Sequence, residues 1–208
     1  MIDKNIRNII FDFGGVILNI NPLLTYNNFS RLGLSGLYDR VGGTNSDKTP
    51  NLFEKGLISS GEFRKKIRSK IDHPVEDFEI DDAWNAMLLD IPYERITLLN
   101  KLKSKYKTFL LSNTNEIHYA EYTRQLRQSY GLNNLSELFF KTYFSFKLHM
   151  SKPDKEIYRY IINENLLNPE ETLFIDDSII NIEGAGSVGL KTHHLKAGES
   201  INYLFSFV

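Results

Sequence analysis

The sequence contains no cysteine, which excludes disulfide frameworks, thiolate metal sites and thiol nucleophiles together. It also lacks a charge bias: 25 Lys and Arg stand against 26 Asp and Glu in 208 residues. Without a bulk field of either sign, neither nucleic acid nor an acidic membrane is an expected partner, and any anion must be held by a local constellation. No run approaches the ~18 consecutive apolar residues of a spanning helix. The opening MIDKNIRNIIFDFGG carries a short apolar run that ends in an acidic residue and a glycine pair, with no small-residue cleavage site, so it reads as a strand and not as an export signal. The expectation is a cytoplasmic protein, monomeric or homodimeric. What is present is a 41% hydrophobic content, sufficient for one substantial core with a smaller lobe beside it.

Three short apolar runs stand out: Asn8 to Phe13, Thr108 to Leu111 and Thr172 to Ile175. Each is bounded by polar or glycine residues, the pattern of a strand buried on both faces. Helical periodicity lies between them, over Arg95 to Lys105, Glu116 to Ser129 and Lys155 to Asn165. Alternation of this kind predicts an α/β fold: a Rossmann-like parallel sheet core flanked by helices, with ligands bound at the carboxyl ends of the strands. The stretch 18–92 breaks the alternation with helical patterns such as Ser60 to Ile71 and Asp81 to Leu89, and is expected to be an inserted small helical cap. Residues 1–17 and 93–208 would then form the core. Within the insertion, Val41 to Asn51 reads as an exposed loop rich in glycine and asparagine.

Polar groups of unusual chemical consistency sit at the ends of these runs: Asp12, Ser112, Lys152 and the pair Asp176 and Asp177. Singly, each has an ordinary explanation as a turn former, helix cap or surface residue. Together they supply what phosphoryl transfer needs, namely a nucleophile, ligands for a divalent cation and donors around phosphate oxygens. Magnesium favours oxygen ligands, which Asp12, Asp177 and the Gly14 carbonyl offer. Lys152 would offset the crowded carboxylates and hold phosphate, while the Ser112 hydroxyl, with Asn113 beside it, would donate to that phosphate.

The segments IIFDFGGVI, FLLSNTN, SKPDKEIY and FIDDSIINIEGA resemble, in order, the four motifs of the haloacid-dehalogenase-like hydrolase superfamily. The resemblance spans most of the chain outside the insertion. It is nearest to a branch of cytoplasmic sugar-phosphate phosphatases with a helical cap after the first motif, a branch that includes bacterial alpha-glucose-1-phosphate phosphatases. It implies a magnesium-dependent phosphatase of a small phosphorylated metabolite, with Asp12 becoming an aspartyl phosphate. It further implies that Asp177 binds the metal directly, that Asp176 acts through a bound water, and that Asn181 braces the metal site or the Ser112 side.

One position departs from the pattern. Most of these phosphatases carry a second Asp two residues after the nucleophile, as the general acid–base, and here Gly14 stands there. Such a group is commonly worth about 10²- to 10⁴-fold in rate. His118 and His149 are candidates to pass the proton instead, though a capping or solvent-facing role is the more usual one for each. The loss leaves a second reading open, a catalytically weak or inactive phosphate-binding protein. A third, a 2-haloacid dehalogenase on the same fold, is opposed by Asp176 and Asp177, since three facing carboxylates repel without a cation. In the insertion, Arg40, Lys48 and Asn85 are candidate substrate contacts, while Trp84 reads as core.

Overall fold

The computed structural model describes residues 2–34 and 48–205. In chain order its elements are β1 (Asn8–Phe11), α1 (Pro22–Arg31), α2 (Thr49–Glu54), α3 (Ser60–Arg68), α4 (Asp77–Asn85), α5 (Tyr93–Leu102), β2 (Lys107–Ser112), α6 (Glu116–Tyr130), β3 (Lys141–Phe144), α7 (Ser145–Leu148), α8 (Lys155–Asn165), β4 (Thr172–Asp176), α9 (Ile179–Gly186), β5 (Lys191–His194) and α10 (Ile201–Leu204). The five strands form one sheet in the order β3-β2-β1-β4-β5, and every pairing is parallel.

The alternation of side chains along the central strands explains the two layers of helices. Ile9 and Phe11 of β1, Leu110 of β2 and Leu173 and Ile175 of β4 face one cluster, which α5, α6 and α10 cover through Ile96, Leu99, Leu102, Tyr122, Leu126 and Ile201. Ile10, Phe109, Leu111 and Phe174 face the other way, where Ile157, Tyr158 and Ile161 of α8 and Ala185 of α9 close the core. A strand buried on both faces needs this continuous apolar composition. The edge strands do not: β5 (KTHH) is polar and partly exposed, β3 (KTYF) buries only Tyr143 and Phe144, and neither was expected from the apolar pattern.

Helices α1 to α4 gather around an apolar cluster of their own, built from Phe29, Phe53, Phe63, Ile67, Ile80 and Trp84. Ile117 of α6 joins that cluster and so links it to the sheet layers. Local signals start these helices. Ser59 and Glu62 form a reciprocal capping box at α3, Glu76 and Glu79 form another at α4, and Asn115 caps α6. The second box starts α4 four residues earlier than the periodicity over Asp81 to Leu89 predicts. The helix stops at Asn85, and Leu88 beyond it pairs with Ile20 in an isolated antiparallel bridge. The loop expected over Val41 to Asn51 lies outside the described residues up to Asp47; its last part is a correction, since Thr49, Pro50 and Asn51 begin α2, with Thr49 and Pro50 buried. A six-residue helix has little stability of its own. Packing holds this one, for the Phe53 ring stacks on Phe63 at 4.4 Å.

Candidate active site

Parallel pairing brings the carboxyl ends of β1, β2 and β4 to one edge of the sheet, so Asp12, Ser112 and Asp176 meet there although far apart in sequence. Asp12 follows β1 directly, and its amide donates to the Ile175 carbonyl at 2.9 Å, which ties it to β4. The site occupies the gap at which strand order reverses about β1, where open α/β sheets bind ligands.

Lys152 organises the charges. Its ammonium donates to Asp12 Oδ1 at 2.5 Å and to Asp176 Oδ2 at 2.7 Å, with the side chain almost wholly buried. Its backbone is held as well: Asn113 Nδ2 donates to the Lys152 carbonyl at 2.9 Å, and the Lys152 amide donates to Asn113 Oδ1 at 3.0 Å. The Asn113 side-chain amide is therefore engaged in positioning the lysine. Ser112, as the last residue of β2, is buried at the same edge.

Asp176 and Asp177 are adjacent in sequence and opposite in circumstance. Asp176 is fully buried and accepts from Lys152, from the Ser178 amide at 2.8 Å and from Asn181 Nδ2 at 3.0 and 3.1 Å. Asn181, one helical turn beyond, thus braces Asp176. Asp177 is exposed, yet one oxygen of each of Asp12, Asp176 and Asp177 lies within 4.8 Å of the others. Three carboxylates and one ammonium leave an excess of negative charge. Burial raises the Asp12 carboxyl well above the ordinary range; Lys152 opposes the shift, and Asp176 and Asp177 add to it. Burial, then the charge of Asp176, raises Asp177 as well. Burial would lower Lys152, but the charges of Asp12 and Asp176 outweigh it and hold the ammonium above its usual value. A divalent cation fits this donor set, since it would cancel the surplus charge and meet oxygen ligands only.

Gly15 contributes something the motifs did not signal beyond the glycine pair itself. Its φ is +78°, and a Cβ there would lie 2.2 Å from Asp177 Oδ2. Only glycine lets this carboxylate approach the turn after β1.

The two histidines fall elsewhere. His118 is buried: its Nε2 lies 3.0 Å from the Trp84 carbonyl, its Nδ1 lies 3.2 Å from Asn115 Nδ2, and its ring stacks on Trp84 at 5.0 Å. Burial lowers its pKa to about 4, against which the Trp84 carbonyl works. In this setting it is a neutral structural residue, and the geometry gives no support to the candidate role of proton carrier. His149 sits at the end of α7 with Nδ1 3.0 Å from the Lys55 carbonyl, outside the acidic cluster. Trp84 is core, Asn85 lines a separate groove with Arg64 and Glu116, and Arg40 lies outside the described residues.

Beside Lys152 and Asn113 opens a cavity of about 540 Å³. Its far wall comes from α2 and the residues on either side of it: Lys48, Asn51, Leu52, Glu54, Lys55 and Leu57. Of the described candidate substrate contacts of the insertion, Lys48 reaches it. No helix among the described residues is long and apolar enough to cross a membrane.

The fold and this cluster carry a known signature: residues 6–189 match the family described as haloacid dehalogenase-like hydrolase, and the chain belongs to it. Among characterised relatives, it is similar to the D-ribitol-5-phosphate phosphatase of Bacteroides thetaiotaomicron, at 30% identity over 93% of each chain. A HAD family enzyme from the same organism, in complex with magnesium and inorganic phosphate, superposes with a TM-score of 0.84 at 37% identity, covering 96% of this chain and 99% of that one. A HAD-like family hydrolase from Porphyromonas gingivalis superposes at 0.85 with 29% identity, over 97% and 96% of the two chains.

Proposed function

We propose that this chain is a magnesium-dependent phosphatase of a small phosphorylated metabolite, with a sugar or sugar-alcohol phosphate as its substrate class. One observation carries the reading: Lys152 bridges Asp12 and Asp176 while Asp177 stands within 4.8 Å of both, a cation-demanding cluster at the strand ends. A relative that hydrolyses D-ribitol 5-phosphate supports the substrate class. So does the polar wall of the cavity, where Lys48, Asn51 and Glu54 could meet hydroxyls.

In this reading Asp12 attacks phosphorus as the bond to the leaving oxygen breaks, and water then cleaves the aspartyl phosphate to free phosphate and restore Asp12. Lys152 and the Ser112 hydroxyl hold the phosphoryl oxygens. Asp12, the Gly14 carbonyl and Asp177 would hold magnesium, with Asp176 behind them keeping Lys152 in place. When bound, the ion offsets the charge of phosphate and carboxylates. Residues 18–92 serve as a cap over a core of 1–17 and 93–208, excluding water and selecting the substrate. A dehalogenase needs no cation, and the surplus of carboxylates argues against that role.

The test is phosphate release from sugar 1-phosphates, sugar 6-phosphates, sugar-alcohol phosphates, acyl phosphates and nucleotides, with magnesium and with EDTA. Release should require magnesium, and Asp12→Asn should lower it by at least about 10⁴-fold. Full activity in that variant would overturn the mechanism. Retained phosphate binding without turnover on any substrate would favour the phosphate-binding protein instead.

A further inference from the structure

Gly14 leaves the reaction without its expected proton carrier, and Ile20 crowds the place a side chain would take there. A Cβ at Gly14 would already lie 3.3 Å from Ile20 Cδ1. A carrier from elsewhere is needed, and the cavity that opens beside Lys152 and Asn113 presents ionisable groups. Four other ionisable groups line it besides Glu54, and three are committed: Lys152 to Asp12 and Asp176, and Lys55 to Asp154 in an ion pair of 2.9 Å. The fourth, Lys48, is exposed. Glu54 forms no ion pair among the described residues.

The backbone of Glu54 is fixed with unusual care for the end of a short helix. The Ser145 hydroxyl donates to the Glu54 carbonyl at 2.5 Å and accepts from the Thr114 amide at 2.9 Å. One hydroxyl thus couples Glu54 to the loop that follows Ser112 and carries Asn113. Two residues on, Gly56 has φ +64° and touches α7 so closely that a Cβ would lie 2.1 Å from the Phe146 carbonyl. Lys55 adds its bond to Asp154 and receives His149 on its carbonyl. The end of α2 is pinned to the catalytic edge at three successive residues.

We propose that Glu54 is the general acid–base of the reaction: its carboxyl gives a proton to the leaving oxygen as the bond to phosphorus breaks, and its carboxylate then takes one from the water that attacks the aspartyl phosphate. The cycle returns Glu54 to its starting form and consumes one water per phosphate released. The assignment rests on the phosphatase reading above.

Burial raises the Glu54 carboxyl to about 7, so that both protonation states are available near neutrality. Neighbouring elements turn their charges elsewhere. On α3, packed through Phe63, Arg64 pairs with Asp81, Arg68 with Asp77 and Glu62 with Ser59, while Lys65 and Lys66 are exposed. On α7, Lys147 lies over the Tyr119 and Phe144 rings.

The experiment compares kcat/KM for ribitol 5-phosphate, whose alkoxide leaves poorly, with that for p-nitrophenyl phosphate, whose leaving group needs no proton, in wild type, Glu54→Gln and Glu54→Asp. The ratio of the two should fall by about 10²-fold in Glu54→Gln and recover in part in Glu54→Asp, which keeps an acid one methylene shorter. In wild type, kcat/KM for the alkyl phosphate should decline as pH rises through about 7, and that limb should vanish in Glu54→Gln. An unchanged ratio and an unchanged pH limb would overturn the assignment. Asp12→Asn separates the two levels: if it is inactive and the Glu54 variants leave the ratio untouched, only the role of Glu54 fails, whereas an active Asp12→Asn removes the phosphatase reading with it.

Discussion

Two seams join helices α1 to α4 to the sheet layers, and they are built on opposite principles. At the first, α4 meets α6: Trp84 stacks on His118, donates from Nε1 to Asn115 Oδ1 at 3.2 Å and receives His118 and Thr25 on its carbonyl. These four side chains, Thr25, Trp84, Asn115 and His118, are neutral, buried and partnered. At the second, α2 meets α7 around a cavity of about 540 Å³ whose walls carry Lys48, Glu54, Lys55, Lys152 and Asp154. A buried neutral seam adds stability and offers no chemistry; an open charged seam gives up burial to keep ionisable groups near a ligand. The same polypeptide layer can thus be anchored at one end and reactive at the other.

The comparison can be broken at four places. Lys152→Met should have the largest effect. It leaves Asp12 and Asp176 facing each other without their ammonium, so turnover should be lost and stability in EDTA should fall by about 3–5 kcal/mol, with magnesium restoring part of it. Thermal melts with and without the metal measure this, and a melt indifferent to both would remove the charged seam from the argument. Trp84→Ala, at the neutral seam, should cost about 3–5 kcal/mol in urea unfolding while the pH profile of turnover keeps its shape. His118 gives a pH signature. Its pKa lies near 4 in the folded chain against 6.5 unfolded, so the unfolded chain binds the proton first and stability should fall as pH drops from 6.5 towards 4. The loss from this group is about 3 kcal/mol, complete below the folded value, and His118→Gln should flatten that part of the profile. The smallest effect belongs to Ser145→Ala, about 1 kcal/mol, read from urea midpoints, because a single buried hydroxyl between Thr114 and Glu54 is lost.

What could be read in advance follows the same division. Strands β1, β2 and β4 are continuous apolar runs because both their faces are buried, and their polar ends named Asp12, Ser112, Asp176 and Asp177 without any structure. Lys152 and Asn181 were also legible, though not that Asn113 would hold the lysine backbone. The edge strands β3 and β5 escaped because a half-solvated strand of four residues carries no apolar run. Helix α2 and Glu54 escaped for another reason: the helix exists through the Phe53 and Phe63 contact, and a lone glutamate acquires meaning only from the wall it stands in. Gly15 was visible as half of a pair, but its neighbour in space, Asp177, is 162 positions away along the chain.

The methyl end of Ile20, resting against the bare α-carbon of Gly14, has a consequence for how this turn can change. A carboxylate introduced at position 14 alone meets a hydrophobic obstacle before it can serve as a proton donor. Trimming Ile20 alone opens a void with no reward. The two positions are coupled, since a side chain at 14 requires Ile20 to give way slightly, and a chain that keeps glycine there must find its proton somewhere else.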